Sequence, residues 1–331
     1  MGFLKFLVVV MAFWSWIWIW LAPTPANAQN SGRKVVYFGV GSVAGVYYPT
    51  GGAISRLMDK GRRAREHSIR CALESSEGSV ENVLALGTGQ FDVALVQSDV
   101  QAYAYDGTFG FQKTGPQKSL RSIFALQAEA LTIVVRANSP IKSFDDLKDQ
   151  RVSLGERGSG HRETMELLFK HYGWDEGLEN ANVYLNPRLA SEALCAGKLE
   201  AYSFIIAHPN ATVQETANLC PIRLIPLNTP QIQKFLAERP YYPTTTIPSG
   251  LYRGEPQSVP TFGPRATLLT TESLPVETAY QFAKTVYENL ETLNNAHPAL
   301  TSVKRGDLLL SLTAPLHPGA ERYFREIGLI K

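Results

Sequence analysis

Short runs of β-branched residues alternate with helical patterns along most of this chain, beginning at Lys34. Such alternation is typical of βα units, which build sheets with neighbouring parallel strands. The first three predicted strands are residues 35–40, 69–73 and 91–96, and the helices that follow them contain Pro49, Val80 and Val100. We expect Ser98 or Asp99 to cap the third helix. The sequence therefore predicts an α/β fold with largely parallel sheets.

The same pattern restarts after residue 150, which indicates a second α/β lobe. A predicted strand at residues 151–154 leads into the glycine-rich loop 155–160 and an amphipathic helix that ends near Gly173. Residues 239–264 are rich in Pro, Thr, Tyr and Gly and have no amphipathic period, so we interpret them as a segment that crosses between lobes. The assignment is residues 29–134 and 248–331 to lobe one, and residues 135–247 to lobe two.

The first 28 residues predict a secretory signal peptide. Lys5 precedes an uncharged apolar stretch, and Ala26-Asn27-Ala28 is a small-residue cleavage motif before Gln29. The alternative is a retained anchor, because the apolar stretch contains four tryptophans, a residue that favours membrane interfaces. The stretch is shorter than the roughly 20 residues that a spanning helix needs, so we expect cleavage and a periplasmic mature protein.

Composition excludes several classes of function. The formal net charge is +2 and the isoelectric point is near 8.3, which gives no basic excess for a nucleic-acid partner. The cysteines Cys71, Cys195 and Cys220 are odd in number, so we expect buried thiols instead of a disulfide framework. No cysteine or histidine spacing indicates a metal site, and we expect no cofactor.

Four polar loops follow predicted strands at the edge where α/β proteins bind ligands. The loops are residues 41–48, 74–79, 97–99 and 157–162. In the fourth loop, Gly158-Ser159-Gly160 opens a helix between Arg157 and Arg162, so that N–H groups, a hydroxyl and guanidinium groups could converge on a carboxylate. In the first, Tyr47 and Tyr48 would point in opposite directions if extended, one toward a pocket and one into the core.

The main rival interpretation is a dinucleotide-dependent enzyme. Residues 39–44 follow a strand and match the permissive G-x-G-x-x-A form of the nucleotide fingerprint. The intervening Gly45–Pro49 segment delays the helix that this fingerprint requires, and Asp59 falls on a helix, not at a strand end. The sequence has no G-x-S-x-G elbow for a hydrolase.

Several ordered motifs together resemble the TAXI family of solute-binding receptors for TRAP transporters. They are residues 45–52 (GVYYPTGG), 77–82 (EGSVEN), 96–99 (VQSD), 120–123 (LRSI) with 129–131 (EAL), 143–147, 158–160 (GSG), 314–320 (APLHPGA), Tyr323 and 328–329. The resemblance covers nearly the whole chain after residue 28. His161 stands where the family usually has Thr, and residues 207–210 replace a more glycine-like turn.

The resemblance implies a periplasmic-binding-protein-like fold of type II, with a ligand cleft between two lobes. It also implies a small carboxylate ligand such as glutamate or 2-oxoglutarate, separate or fused TRAP membrane subunits as partners, and no catalysis. The predicted ligand-binding residues are Ser42, Tyr47, Tyr48, Ser75, Ser76, Gln97, Arg157, Ser159, Gly160, His161 and Arg162. We expect His161 to pair with an anionic group as it gains a proton. A receptor domain for a signalling partner is the alternative in the same class of protein.

Overall fold

The computed structural model describes residues 34–43, 45–174 and 182–331. The elements up to the first crossing are β1 (Lys34–Gly39), α1 (Tyr47–Arg63), β2 (Ile69–Glu74), α2 (Ser79–Thr88), β3 (Val93–Gln97), α3 (Ser98–Asp106) and β4 (Leu120–Ala128). Then come β5 (Ala130–Arg136), β6 (Val152–Ser153), α4 (Gly160–His171), β7 (Asn182–Val183), α5 (Pro187–Cys195), β8 (Ala201–Ile206), α6 (Ala211–Leu219), β9 (Ile222–Leu224) and α7 (Pro230–Ala237). The chain ends with β10 (Thr244–Ile247), β11 (Val259–Phe262), β12 (Arg265–Thr271), α8 (Val276–Glu288), α9 (Leu290–Asn294) and α10 (Pro318–Glu326). The predicted signal peptide and its cleavage site before Gln29 lie outside the described residues.

Two five-stranded sheets form two lobes, which confirms the predicted α/β class. The first sheet has the order β2-β1-β3-β12-β4 and the second the order β7-β6-β8-β5-β9. Strands β10 and β11 pair with each other in a separate antiparallel ribbon. We call each sheet with its helices the first lobe and the second lobe.

Both sheets are mixed, where the sequence predicted largely parallel ones. In the first, β1 pairs in parallel with β2 and β3, whereas β12 is antiparallel to β3 and β4. The reason is the crossing of the chain between lobes: β12 starts opposite Gln97, the last residue of β3. In the second sheet, β5 likewise starts opposite Ile206, the last residue of β8. A strand that arrives from the other lobe therefore enters its sheet from the carboxyl ends and runs antiparallel.

The two crossings lie side by side at Glu129 and at Gly263-Pro264. The backbone N–H of Glu129 donates to the carbonyl of Pro264 over 2.9 Å. A Cβ on Gly263 would lie 1.8 Å from the carbonyl oxygen of Glu129, so glycine permits this close approach of the two chains. The connection between the lobes is therefore a pair of hydrogen-bonded segments.

Apolar packing is continuous between the lobes on one side of the first sheet. One buried cluster contains Val83 and Tyr103 from the first lobe together with Met165 and Phe235 from the second. A separate cluster packs α1, α8 and α10 on the other face of the first sheet. Because the first cluster draws on both lobes, the described conformation is one in which the lobes are closed on each other.

A disulfide joins Cys195 to Cys220, which corrects the expectation of three buried thiols. Cys195 is the last residue of α5, and Cys220 directly follows α6. Helices α5 and α6 pack against each other, and this brings together two cysteines that are 25 residues apart in sequence. Cys71 is free, and burial raises the pKa of its thiol to about 12.

Helix boundaries also differ from prediction at two places. Helix α3 starts at Ser98, two residues before the predicted Val100, with Gln97 at the N-cap position and no side-chain cap. Apolar residues recur at helical spacing over residues 276–293, which predicts one helix, but this stretch forms α8 and α9 with a break at Asn289. The sequence also predicts that the last helix ends at Gly328, and this is confirmed, because Gly328 has a φ of 70° just after α10.

Candidate ligand-binding site

A cavity of about 70 Å³ lies between the lobes at the carboxyl ends of several strands. Its first-lobe wall is the loop after β1, the first turn of α1 and the end of β3. Its second-lobe wall is the start of α4 and the end of β8. Loops at carboxyl ends are the usual ligand sites of open α/β sheets, because helix N-termini meet there.

The structure brings six of the eleven predicted residues together around this cavity. Those that line it are Ser42, Tyr47, Gln97, Ser159, Gly160 and His161. Those that do not are Tyr48, Ser75, Ser76, Arg157 and Arg162. All four polar loops of the sequence thus contribute to one cavity, the second of them through Glu77, Gly78 and Ser79, as the fold rule predicts.

Tyr47 lines the cavity, but Tyr48 is 39% exposed and lies neither in the cavity nor in the core. Both tyrosines belong to the first turn of α1, not to an extended loop. Successive helical residues are about 100° apart, so Tyr48 faces solvent when Tyr47 faces the cavity. The expectation of one tyrosine in the pocket and one in the core was therefore half right.

Arg157 and Arg162 lie outside the cavity and are engaged with other side chains. Their guanidinium groups lie 5.1 and 4.0 Å from the ring centre of Tyr184. The Nε of Arg162 also donates to Glu166 over 2.6 Å, an i,i+4 pair on α4. In this conformation neither guanidinium is placed to bind a solute in the cavity.

The glycine-rich loop joins the lobes through its backbone. Ser159 caps α4 by accepting from the N–H of Arg162. The carbonyl of Gly158 accepts from the N–H groups of Val80 and Glu81 at 3.1 and 3.3 Å, in the first turn of α2. A second-lobe carbonyl therefore accepts from the N-terminus of a first-lobe helix and links the two lobes beside the cavity.

Ser75 and Ser76 lie outside the cavity, and Ser76 helps to hold the loop after β2 in place. Ser75 is exposed, and the Ser76 hydroxyl donates to Asn82 Oδ1 over 2.7 Å. Asn82 Nδ2 in turn donates to the carbonyls of Val40 and Leu95, each over 2.7 Å. These bonds fix the loop after β2 to the ends of β1 and β3, so the motif at residues 77–82 shapes the cavity from behind.

A family model described as the NMT1-like family matches residues 38–328. The chain belongs to the NMT1-like family. This is a family of solute-binding proteins, not of enzymes, which confirms the receptor class that the sequence predicted. The match does not distinguish the TAXI type within that class.

Solved structures that superpose on this NMT1-like protein have low sequence identity to it. The periplasmic aliphatic sulphonate binding protein SsuA from Escherichia coli is 13% identical, with 88% of this chain and 83% of that chain covered and a TM-score of 0.48. An ancestral arginine-binding protein bound to arginine is 15% identical, with 81% and 98% covered and a TM-score of 0.48. No helix in residues 34–43, 45–174 or 182–331 is long and apolar enough to cross a membrane.

Three acidic residues of the cavity, Glu77, Glu129 and Glu156, were missed as site residues. Glu129 lies at the first crossing, is 2% exposed and accepts from the Tyr47 hydroxyl over 2.8 Å. Burial, together with the nearby Asp99, raises the pKa of Glu129 to about 8. Burial and the neighbouring Glu77 raise the pKa of Glu156 to about 7. Glu129 and Glu156 belong to segments that the sequence analysis singled out, but nothing in a single sequence shows that either faces a cavity.

His161 lines the cavity but does not fit its expected ion-pairing role. Its side chain is 6% exposed and packs edge-on against the ring of Phe204. Burial and the adjacent Arg162 lower the pKa of His161 to about 4, so the imidazole is neutral at pH 7. Across the described residues, no group of three or more His, Cys, Asp or Glu side chains is arranged to hold a metal ion.

Asp99 joins the lobes through buried hydrogen bonds. Its Oδ2 accepts from the hydroxyls of Thr164 and Tyr242, each over 2.7 Å, and both of these residues belong to the second lobe. The Tyr242 hydroxyl also lies 2.8 Å from that of Tyr103. Burial raises the pKa of Asp99, and the hydrogen bonds from Tyr242 and Thr164 offset this only in part. These hydrogen bonds between the lobes form when the lobes are closed.

Replacing Asp99 with alanine is expected to weaken solute binding about tenfold, because the closed state would leave two buried hydroxyls without their acceptor. Calorimetry with the bound solute measures the affinity, and small-angle scattering measures the fraction of open protein. Asp106→Ala is the matched control, since Asp106 lies on the same helix but is exposed and pairs with Lys118. Unchanged affinity and scattering in Asp99→Ala would contradict a role in closure.

Proposed function

We propose that this NMT1-like protein is an extracytoplasmic receptor of a TRAP-type transporter that closes its lobes on a small organic acid such as glutamate or 2-oxoglutarate. The cavity with walls from both lobes is the observation that supports this most. A solute held there touches both lobes, so its binding energy favours the closed state. Closure then gives a membrane partner a surface that differs from the ligand-free one.

Helix geometry supports a carboxylate on the ligand. Helices α1 and α4 both begin at the cavity, with Tyr47 and Gly160 in their first turns. A helix N-terminus carries partial positive charge and N–H groups without intrahelical acceptors, which suits an anionic oxygen. We expect the backbone at Gly160 and the hydroxyl of Ser42 to contact the acid, in place of the two arginines.

The transporter type rests on the TAXI-like motifs between residues 45 and 329. Export into the periplasm, with cleavage before Gln29, is supported by the Cys195–Cys220 disulfide, since structural disulfides persist in oxidising compartments. We also propose that the lobes divide at the crossings, near Glu129 and Gly263-Pro264. These positions differ from the predicted boundaries by about five residues at the first crossing and about fifteen at the second.

The first test is thermal unfolding of the protein from Gln29, stripped of carried-over ligand, against a panel of small carboxylates and amino acids. A ligand at a hundred times its dissociation constant adds about 2.7 kcal/mol to the free energy of unfolding. We expect a shift of the midpoint with one or a few acids. No shift with any acid in the panel would contradict the proposal.

The partner is tested by passing membrane extracts over the immobilised receptor with and without the acid found in the first test. We expect transporter membrane subunits to be retained, and to be retained differently when the acid is present. Retention of a sensor kinase instead would favour the signalling alternative.

A further inference from the structure

The cavity is lined by several acidic residues. They are Glu77, Glu129 and Glu156. No lysine or arginine is among the lining residues that the structure describes, and His161 is neutral near pH 7. A ligand bound only through its carboxylate would therefore face three acids without a balancing cation.

Gln97 is an independent indication of what the ligand supplies. Its side chain is 4% exposed and lines the cavity, and within the described part of the chain its Oε1 has no hydrogen-bond partner. The backbone N–H of Gln97 donates to the Ser79 hydroxyl, so the residue is fixed at the end of β3. Buried amide oxygens are almost always paired with a donor. The unpaired oxygen calls for a donor from the ligand.

Glu129 is held in place to receive such a donor. The Tyr47 hydroxyl donates to Oε2 of Glu129 over 2.8 Å, and the backbone N–H of Glu129 donates to the carbonyl of Pro264. The side chains that act on Glu129 are Tyr47 on α1, Asp99 on α3 and the amide of Gln127 on β4, and none of them is a cation. Glu156 similarly has Glu77 as its charged neighbour.

We propose that the solute carries a protonated amine, which donates to Gln97 Oε1 and to the carboxylates of Glu129 and Glu156. This inference rests on the proposed function and narrows its ligand from organic acids in general to amino acids. The carboxylate of such a zwitterion lies at the N-termini of α1 and α4, and its ammonium group lies at the acidic side of the cavity. A 2-oxo acid offers no donor there.

Binding of an amine beside Glu129 and Glu156 is accompanied by the release of protons. Burial holds the pKa of Glu129 at about 8 and that of Glu156 at about 7 without ligand, so both are partly protonated at pH 7. An ammonium group beside them favours their ionised forms and lowers both pKa values, which expels protons on binding. Affinity for an amine-bearing ligand therefore increases as the pH rises from 6 to 8. An anion in the same place would instead cause proton uptake.

The test compares acids that differ at one position. L-Glutamate and 2-oxoglutarate, and L-alanine and pyruvate, are titrated into the protein at pH 7 in two buffers of different ionisation enthalpy. We expect an amino acid to bind at least about tenfold more tightly than its 2-oxo partner and to release protons. Tighter binding of the 2-oxo acid, or proton uptake, would overturn this inference while leaving the receptor proposal intact. Failure of every acid in the wider panel would overturn the proposed function itself.

The Glu129→Gln variant tests the subsite without removing its bond to Tyr47, because the amide oxygen can still accept. We expect the preference for the amino acid over the 2-oxo acid to fall about tenfold or more, with less proton release. Glu215→Gln is the control, since Glu215 is exposed on α6 and its replacement makes the same change of charge. A preference and proton release that Glu129→Gln leaves unchanged would remove Glu129 from the subsite.

Discussion

Replacing Gly160 with leucine is expected to lower solute affinity about 100-fold while leaving each lobe folded. A Cβ on Gly160 would lie 1.8 Å from Gln97 Oε1 and 2.9 Å from Ser79 Oγ, both in the opposite lobe. The Gln97 side chain is flexible enough to move, but it would then swing away from its position in the cavity wall. Either the lobes stay apart or the ligand loses its site, and both outcomes reduce binding.

Calorimetry on the variant measures the loss of affinity, and circular dichroism with thermal unfolding checks that the fold is retained. Gly306→Leu is the matched control, because a Cβ on Gly306 meets no atom within 4 Å. We expect that control to bind as the parent protein does. If Gly160→Leu bound solute with parental affinity, the cavity described above would not be the solute site.

Loss of the disulfide is expected to cause the largest change in stability. For a loop closed by cysteines 25 residues apart, the chain-entropy estimate is about 3.5 kcal/mol of unfolding free energy. The double variant Cys195→Ser/Cys220→Ser should therefore unfold roughly 5–10 °C below the parent protein. The bond links α5 to α6 at one side of the second lobe, away from the cavity, so solute affinity at low temperature should change little.

Differential scanning calorimetry with and without a reducing agent checks this prediction. The parent protein should lose stability on reduction, whereas the double variant should be insensitive to it. Cys71→Ser serves as the thiol control, because Cys71 is free. A double variant that melts within about 1 °C of the parent would mean that the bond does not stabilise the folded protein.

The sequence predicted the path of the chain well where local patterns decide structure. The alternation of β-branched runs and helical patterns indicated β1, β2, β3 and β6 within about two residues, and Gly328 was found at the end of α10. These features depend on backbone preferences and hydrogen bonds within a few residues, which sequence contains directly. The six cavity residues followed from the rule that ligands bind at strand ends.

Contacts between elements that are far apart in the sequence decided the strand directions and the side-chain partners that the sequence did not predict. Strands β5 and β12 run antiparallel because the chain enters each sheet from the other lobe, and no local pattern records the direction of entry. The same is true of Arg162, which sequence proximity placed at the ligand but which pairs with Glu166 and Tyr184 instead. A side chain's partners depend on which elements pack around it, not on its neighbours in the chain.

The sequence by itself thus determined an α/β fold with polar loops at strand ends, because periodicity and turn chemistry are local, and its resemblance to a known family indicated a receptor. The tertiary structure alone decided the charge of the cavity and the pairing of Cys195 with Cys220. Glu129 and Gln97 are 32 residues apart in sequence, and they line one cavity because two lobes close over both of them. Burial in that closed cavity raises the carboxyl pKa values, and burial is a property of the assembled fold.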